Sequence, residues 1–275
     1  MSGASRRIAV GVEYDGTRYA GWQAQRERLT VQAEVERALG AVAAHPVTVV
    51  CAGRTDAGVH ASGQVAHFDT SAVRPLHGWV LGANRHLPTD VALRWAASVA
   101  DDFHARYSAI ARTYRYLILH SRTRPVLLHA RVCHVRAPLD APRMHEAAQA
   151  LVGEHDFSAF RSADCQAPSA VRRLEAIQVL AHGPFVTIEV TANAFLHHMV
   201  RNIAGALLAV GAGDRPPAWV ATVLAGRDRG HGGITAPAAG LYLVDVRYPD
   251  NVRLPDLAGL QPSAMIAGLI AGWTQ

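Results

Sequence analysis

The first regularity along the chain is an alternation. Ile8, Val10, Val12 and Tyr14 are separated by polar or small neighbours, a period of two that predicts a strand. After a polar loop, Thr30 is placed to cap a helix whose apolar face is Val31, Val35, Ala38, Leu39 and Val42. Strands are expected over Val47–Cys51 and Gln64–Asp69, a helix from Pro75 to about Arg85, and a strand from Val91 to about Ala96. The order then recurs. A strand is expected over about Ala111–Leu119, and Asp140 with Pro142 opens a helix carrying Met144, Ala148 and Leu151, which Gly153 closes. Two strands flank the turn His182-Gly183-Pro184, a helix runs from about Leu196 to Val210, and a shorter one starts at Pro217. In the last strand, Leu241–Tyr248, the alternation puts Tyr242, Val244, Val246 and Tyr248 on a core face, with Leu241 and Leu243 opposite and Leu241 able to face a cleft.

Each half therefore reads β-α-β-β-α-β, the split βαβ pattern. The expected class is α+β: two ferredoxin-like halves joined into a mainly antiparallel sheet flanked by helices. The expected divisions are 1–102, 103–249 and a tail, 250–275, of unknown role.

Composition narrows the chemistry. The 275 residues are half hydrophobic and 18% charged, so no disorder signature dominates. The formal net charge is +5 and the pI about 9.5, an excess that suits an anionic partner. All 27 basic residues are arginine. Without lysine, Schiff-base chemistry, pyridoxal phosphate anchoring and the Walker A lysine are excluded. Cys51, Cys133 and Cys165 form no CxxC spacing, which argues against a zinc motif or a disulfide framework and for a reducing cytoplasm. The N-terminal segment meets Glu13 and Asp15 too early for a secretory signal, and the apolar run from Ala264 to Trp273 is too short to span a bilayer. No membrane association is expected.

The charge is also localised. From Phe103 to Arg136 there are seven arginines (Arg106, Arg112, Arg115, Arg122, Arg124, Arg131, Arg136) and no acid, with Tyr107, Tyr114 and Tyr116 among them. Guanidinium groups match phosphate geometry and tyrosine rings offer stacking faces to unpaired bases, so this run suits RNA, in a cleft between the halves. Alternation puts Arg112, Tyr114 and Tyr116 on one face and makes Arg112 a candidate substrate contact; Arg115 and Leu117 point the other way. A solvated face is the plainer alternative.

Catalytic motifs are mostly absent. His145-Glu146 starts an HExxH-like stretch without its second histidine, and His197-His198 on a helix would point apart. There is no dinucleotide loop and no nucleophile elbow. Neither a metal nor a cofactor is expected. Asp56 remains, in the stretch CAGRTDAGVHASGQVAHF from Cys51 to Phe68. A carboxylate beside a cation can be a turn or ion-pair residue, or it can be a covalent nucleophile at a sugar or base carbon. The residues by themselves leave both readings open.

That stretch resembles the signature of the tRNA pseudouridine synthase A (TruA) family. GVEYDGTRYAGWQ, DDFHARYSAIARTYRYLI, NAFLHHMVRNIAGALLAVG and GLYLVDVRYP resemble further family blocks, in family order, over most of residues 8–249. The resemblance implies a cofactor-free isomerisation in which uracil is detached from ribose, turned and rejoined through C5. It implies uridines at positions 38, 39 and 40 of the tRNA anticodon arm as substrate, and a homodimer that holds the tRNA. Asp56 then occupies the place of the family's nucleophile, and Tyr114 that of the tyrosine beside the target base that serves C5 proton removal. Arg201 matches the cation paired with the catalytic carboxylate, Leu241 the apolar residue lining the base, and Arg54 the arginine that displaces the nucleotide from its stack. Base flipping is required on physical grounds too, because a stacked uridine hides both bonds that must change. The tail from Leu254 matches no family block. A non-catalytic RNA-binding protein would explain the arginines and tyrosines but not Asp56, and a metal-dependent hydrolase lacks its ligand spacing.

Overall fold

The computed structural model describes residues 5–255, so most of the tail, with its apolar run, lies outside the described residues. The chain forms two compact units. One joins the described residues up to Ile110 with those from Leu243 onward, and the other runs from Ala111 to Tyr242. Both are α+β with mainly antiparallel sheets. Among the described residues, no helix is long and apolar enough to cross a membrane.

The first unit contains β1 (Arg6–Tyr14), α1 (Val31–Ala43), β2 (Val50–Cys51), β3 (His60–Thr70), α2 (Leu76–His86) and β4 (Val91–Ser98). β1 pairs antiparallel with β4 and β3, and β2 with β3, giving the order β4-β1-β3-β2. Ile8 through Val12 are all buried, although alternation alone would leave every second residue wet. Gly11 explains part of this: a Cβ there would lie 2.2 Å from the Trp95 indole, which covers that face. The helices cover β1–β4 elsewhere, with α1 packed on α2 and α2 on β4.

Two local expectations are corrected here. Only Val50 and Cys51 of the expected strand from Val47 pair with β3. The backbone of Val49 is captured by α1 instead: Glu36 Oε1 accepts its N–H at 2.9 Å and Gln32 Nε2 donates to its carbonyl at 3.4 Å. Thr30 precedes α1 but does not cap it with its hydroxyl, which is buried without a partner among the described residues. The first free amides of α1 are satisfied by the carbonyls of Gly21 (from Val31) and Trp22 (from Gln32).

His67, in β3, is only 4% exposed, and its Nδ1 accepts the Ala105 N–H at 3.1 Å. Burial first, then the charges of Arg7 and His104, holds its imidazole down from an ordinary value of 6.5 to about 4. The unfolded chain therefore takes up a proton that the folded chain refuses in this window. The stabilisation is complete above about pH 6.5 and falls as pH drops towards 4, by on the order of 2–3 kcal/mol. Urea unfolding at pH 7 and pH 4.5 should record this loss, and His67→Gln, which cannot titrate, should lose less between the two pH values. Equal losses in the two proteins would remove His67 as the cause.

The second unit contains β5 (Ala111–His120), β6 (Cys133–Val135), α3 (Ala141–Ala148), β7 (Gly153–Asp156), β8 (Val171–His182), β9 (Phe185–Ala192), α4 (Met199–Gly211) and α5 (Ala218–Gly226). β5 pairs antiparallel with β9, β9 with β8 and β8 with β7, while β6 lies parallel to β5. As expected, Asp140 caps α3, its Oδ1 accepting the Arg143 N–H. Gly153 does not close that helix. A 3-10 turn, Gln149–Leu151, intervenes, and Gly153 opens β7, which, like β6, is too short to leave a periodic signal.

The final strand, β10 (Leu241–Arg247), begins in the second unit and continues beside β3 in the first. Its expected division into core and cleft faces is corrected. Leu241 and Leu243 are buried together with Val244, Val246 and Tyr248, whereas Tyr242 is half-buried and donates its hydroxyl to the Arg131 carbonyl.

Candidate active site

Asp56 sits in the turn between β2 and β3, and the sequence around it explains how the turn is held. Thr55 and Gln64 are buried beneath it. Gln64 Nε2 donates to the Gly53 carbonyl at 2.6 Å, and the hydroxyls of Thr55 and Tyr14 meet at 2.8 Å. A second loop grips the backbone. The Trp22 N–H donates to the Thr55 carbonyl at 3.0 Å, and the Gly58 N–H donates to the Tyr19 carbonyl at 3.3 Å. Trp22 is itself buried, tilted against Tyr14 with ring centroids 5.8 Å apart. Because Thr55 turns inward as an anchor, its neighbours turn outward: Asp56 is half-buried and Arg54 exposed. The turn therefore carries a carboxylate on a hydrogen-bonded base with an exposed guanidinium two residues away. Cys51, just before the turn, is buried, and burial pushes its thiol up to about 12, so it is no nucleophile.

In the second unit, Tyr114 lies opposite Val190 in the β5–β9 ladder and is 8% exposed. Its ring meets Phe195 edge-on, with centroids 5.0 Å apart and planes at 82°. Phe195 was not singled out in the sequence, although it lies inside the NAFLHH block. Arg201, in the first turn of α4, is half-buried; its Nε donates to the Ala236 carbonyl at 2.8 Å, which aims the guanidinium. Leu241 is buried. Arg112 is also buried, and its Nη1 donates to the Asn193 carbonyl at 3.0 Å, so this cation is fixed in place. Tyr116 is wholly buried with its hydroxyl on the Pro237 carbonyl, and burial pushes that phenol far up. Arg112, Tyr114 and Tyr116, which share one face of β5, are thus all buried.

Arg115 is engaged with Glu189 across the β5–β9 ladder, through both Nε and Nη2, as the alternation allowed. The side chains of His197 and His198 do not diverge. Both precede α4, His198 has φ +62, and the rings lie close but tilted, with centroids 4.0 Å apart and planes at 34°.

A family model described as tRNA pseudouridine synthase matches residues 10–108 and 147–249. The chain is 54% identical over 252 residues to a Shewanella amazonensis protein named tRNA pseudouridine synthase A, covering 92% of this chain and 97% of that one. A Coxiella burnetii protein of the same name is 56% identical over 249 residues, covering 90% and 95%. One from Salmonella typhimurium is 54% identical over 255 residues, covering 93% and 94%.

Proposed function

This chain belongs to the tRNA pseudouridine synthase A family, whose members isomerise uridine in tRNA, and from that premise we propose how its own residues divide the reaction. Asp56 acts on the ribose of a flipped uridine. The bond from C1′ to N1 breaks, the uracil turns, C5 joins C1′, and the C5 proton leaves while N1 gains one. Tyr114 packs against the base and takes part in removing the C5 proton. Arg201 supplies the cation that partners the catalytic carboxylate. Leu241 lines the base, and Arg54 and Arg112 contact the substrate. The observation that carries this reading is the doubly anchored RTDAG turn, which presents Asp56 outward on a buried base.

The substrate is the anticodon stem-loop of tRNA, the working form is a homodimer, and the compartment is the cytoplasm. The divisions 1–102 and 103–249 form two ferredoxin-like halves, a reading supported by the order β4-β1-β3-β2 in the first unit. No metal or cofactor takes part, a reading that rests on the incomplete HExxH stretch at His145.

With tRNA tritiated at uridine C5, the purified protein should release tritium at the same rate before and after exhaustive EDTA treatment in monovalent salt. Release demands loss of the C5 proton, which neither binding nor hydrolysis produces. Absence of release would leave an RNA-binding protein, and a loss restored by zinc would make the reaction metal-dependent.

A further inference from the structure

A cavity of about 370 Å³ opens in the second unit, lined by Ser158, Arg161, Ser162, Arg227, Asp228 and Arg229. Three guanidinium groups thus face one carboxylate, and that carboxylate is engaged within its own loop. Asp228 Oδ1 accepts the Gly230 N–H at 2.8 Å, and Oδ2 lies 3.1 Å from His231 Nδ1. Behind the lining, Asp156 Oδ1 accepts both the N–H and the hydroxyl of Ser158, and Oδ2 stands 3.7 Å from Arg227. Three cations against these two acids leave one positive charge uncompensated. One negative charge, carried by a group that accepts several hydrogen bonds, would match it.

The three arginines are held differently. Arg229 is part of the wall: it donates to Gly233 O, Asn202 Oδ1 and Thr235 Oγ1 at 2.7, 3.1 and 2.9 Å. Arg227 is largely exposed and tied only loosely to Asp156. Arg161 is half-buried, and no described residue accepts a hydrogen bond from its guanidinium; the Ser162 hydroxyl is likewise unengaged among the described residues.

The cavity also shares its framework with Arg201. Asn202 is 1% exposed and donates to the Phe160 carbonyl at 2.7 Å, while its Oδ1 accepts from both Arg229 and Thr235. The residue before it, Arg201, is tied to Ala236, the residue after Thr235. The Ser162 N–H donates to the His197 carbonyl at 2.9 Å. The same short segments therefore hold the cavity wall and aim Arg201.

We propose that this cavity seats one backbone phosphate of the RNA substrate, with Arg229 as its fixed wall and Arg161, Arg227 and Ser162 as the donors that close on it. This rests on the tRNA reading above. A phosphodiester there would register the RNA against the α4 turn that carries Arg201, which is how phosphate contacts position a nucleic acid without reading its sequence.

The test is equilibrium tRNA binding across a series of KCl concentrations. The double variant Arg161→Ala/Arg227→Ala should bind about tenfold more weakly, and its slope of log affinity against log salt should be shallower by roughly 0.7–0.9. Arg161→Gln, which keeps the side chain's bulk, should show part of the same change. Arg37→Ala, which removes an exposed arginine paired with Glu34, should leave the slope alone. A double variant with the wild-type unfolding midpoint and an unchanged slope overturns the proposal. So does a double variant that loses binding of inorganic phosphate, titrated at constant ionic strength, but keeps the tRNA slope, because the cavity would then serve a free anion. If the wild type releases tritium from tRNA while the slope stays unchanged in the double variant, only the cavity assignment falls. If the wild type binds no tRNA, the functional reading falls with it.

Discussion

Asp56→Asn is expected to abolish pseudouridine formation, a loss on the order of 10⁴-fold or more, the scale seen when a covalent nucleophile is removed. The substitution keeps the size of the side chain and its polar edge but removes the charge that attacks. Thr55, Gln64 and the backbone bonds to Trp22 and Tyr19 hold the turn, so the variant should fold normally and bind tRNA within a few-fold of wild type. Purified variant, free of host enzyme, can be assayed by tritium release and by tRNA binding in parallel. Substantial turnover would take Asp56 out of the nucleophile role, and equal loss of binding and turnover would make it a binding residue.

Gly21→Ala should damage both stability and turnover. Gly21 has φ +96, a left-handed conformation that side chains rarely adopt, and a Cβ there would lie 2.6 Å from the Thr55 carbonyl oxygen and 3.1 Å from the carbonyl carbon of Asp56. The obstacle is backbone, so no flexible side chain can yield. Strain and overpacking together should cost about 2–4 kcal/mol. The cheapest relief is to push the RTDAG turn outward. A displacement of about 1 Å in a catalytic group can cost on the order of a hundredfold in rate, so turnover should fall even where the variant is fully folded. Gly226→Ala is the control: a Cβ there meets nothing within 4 Å, and denaturant midpoint and turnover should stay near wild type. A Gly21→Ala protein with the wild-type midpoint and rate would show that the Gly21 loop does not brace the turn.

Much of this was legible in the chain because it depends on local period. The alternation in Ile8–Tyr14, the stripe from Val31 to Leu39 and the Asp140 cap became β1, the buried face of α1 and the start of α3. The Asp56 stretch was legible as a motif because its residues are contiguous, and the comparisons show the family that this motif resembled.

What stayed hidden depends on partners distant in sequence. Alternation placed Arg112 and Arg115 on opposite faces. It could not tell that Arg112 would be buried on the Asn193 carbonyl, or that Arg115 would meet Glu189. Nothing in the segment Val47–Val49 says that Gln32 and Glu36 will take its backbone bonds. The arginine-lined cavity draws on Arg161 and Arg227–Arg229, segments that only the fold brings together. By itself, then, the sequence determined the secondary-structure periods, the absence of lysine chemistry and the identity of the carboxylate-bearing turn, all properties of neighbouring residues. The tertiary structure decided which cations bond to internal carbonyls and carboxylates, because that depends on which acceptors the fold places within about 3 Å of each guanidinium.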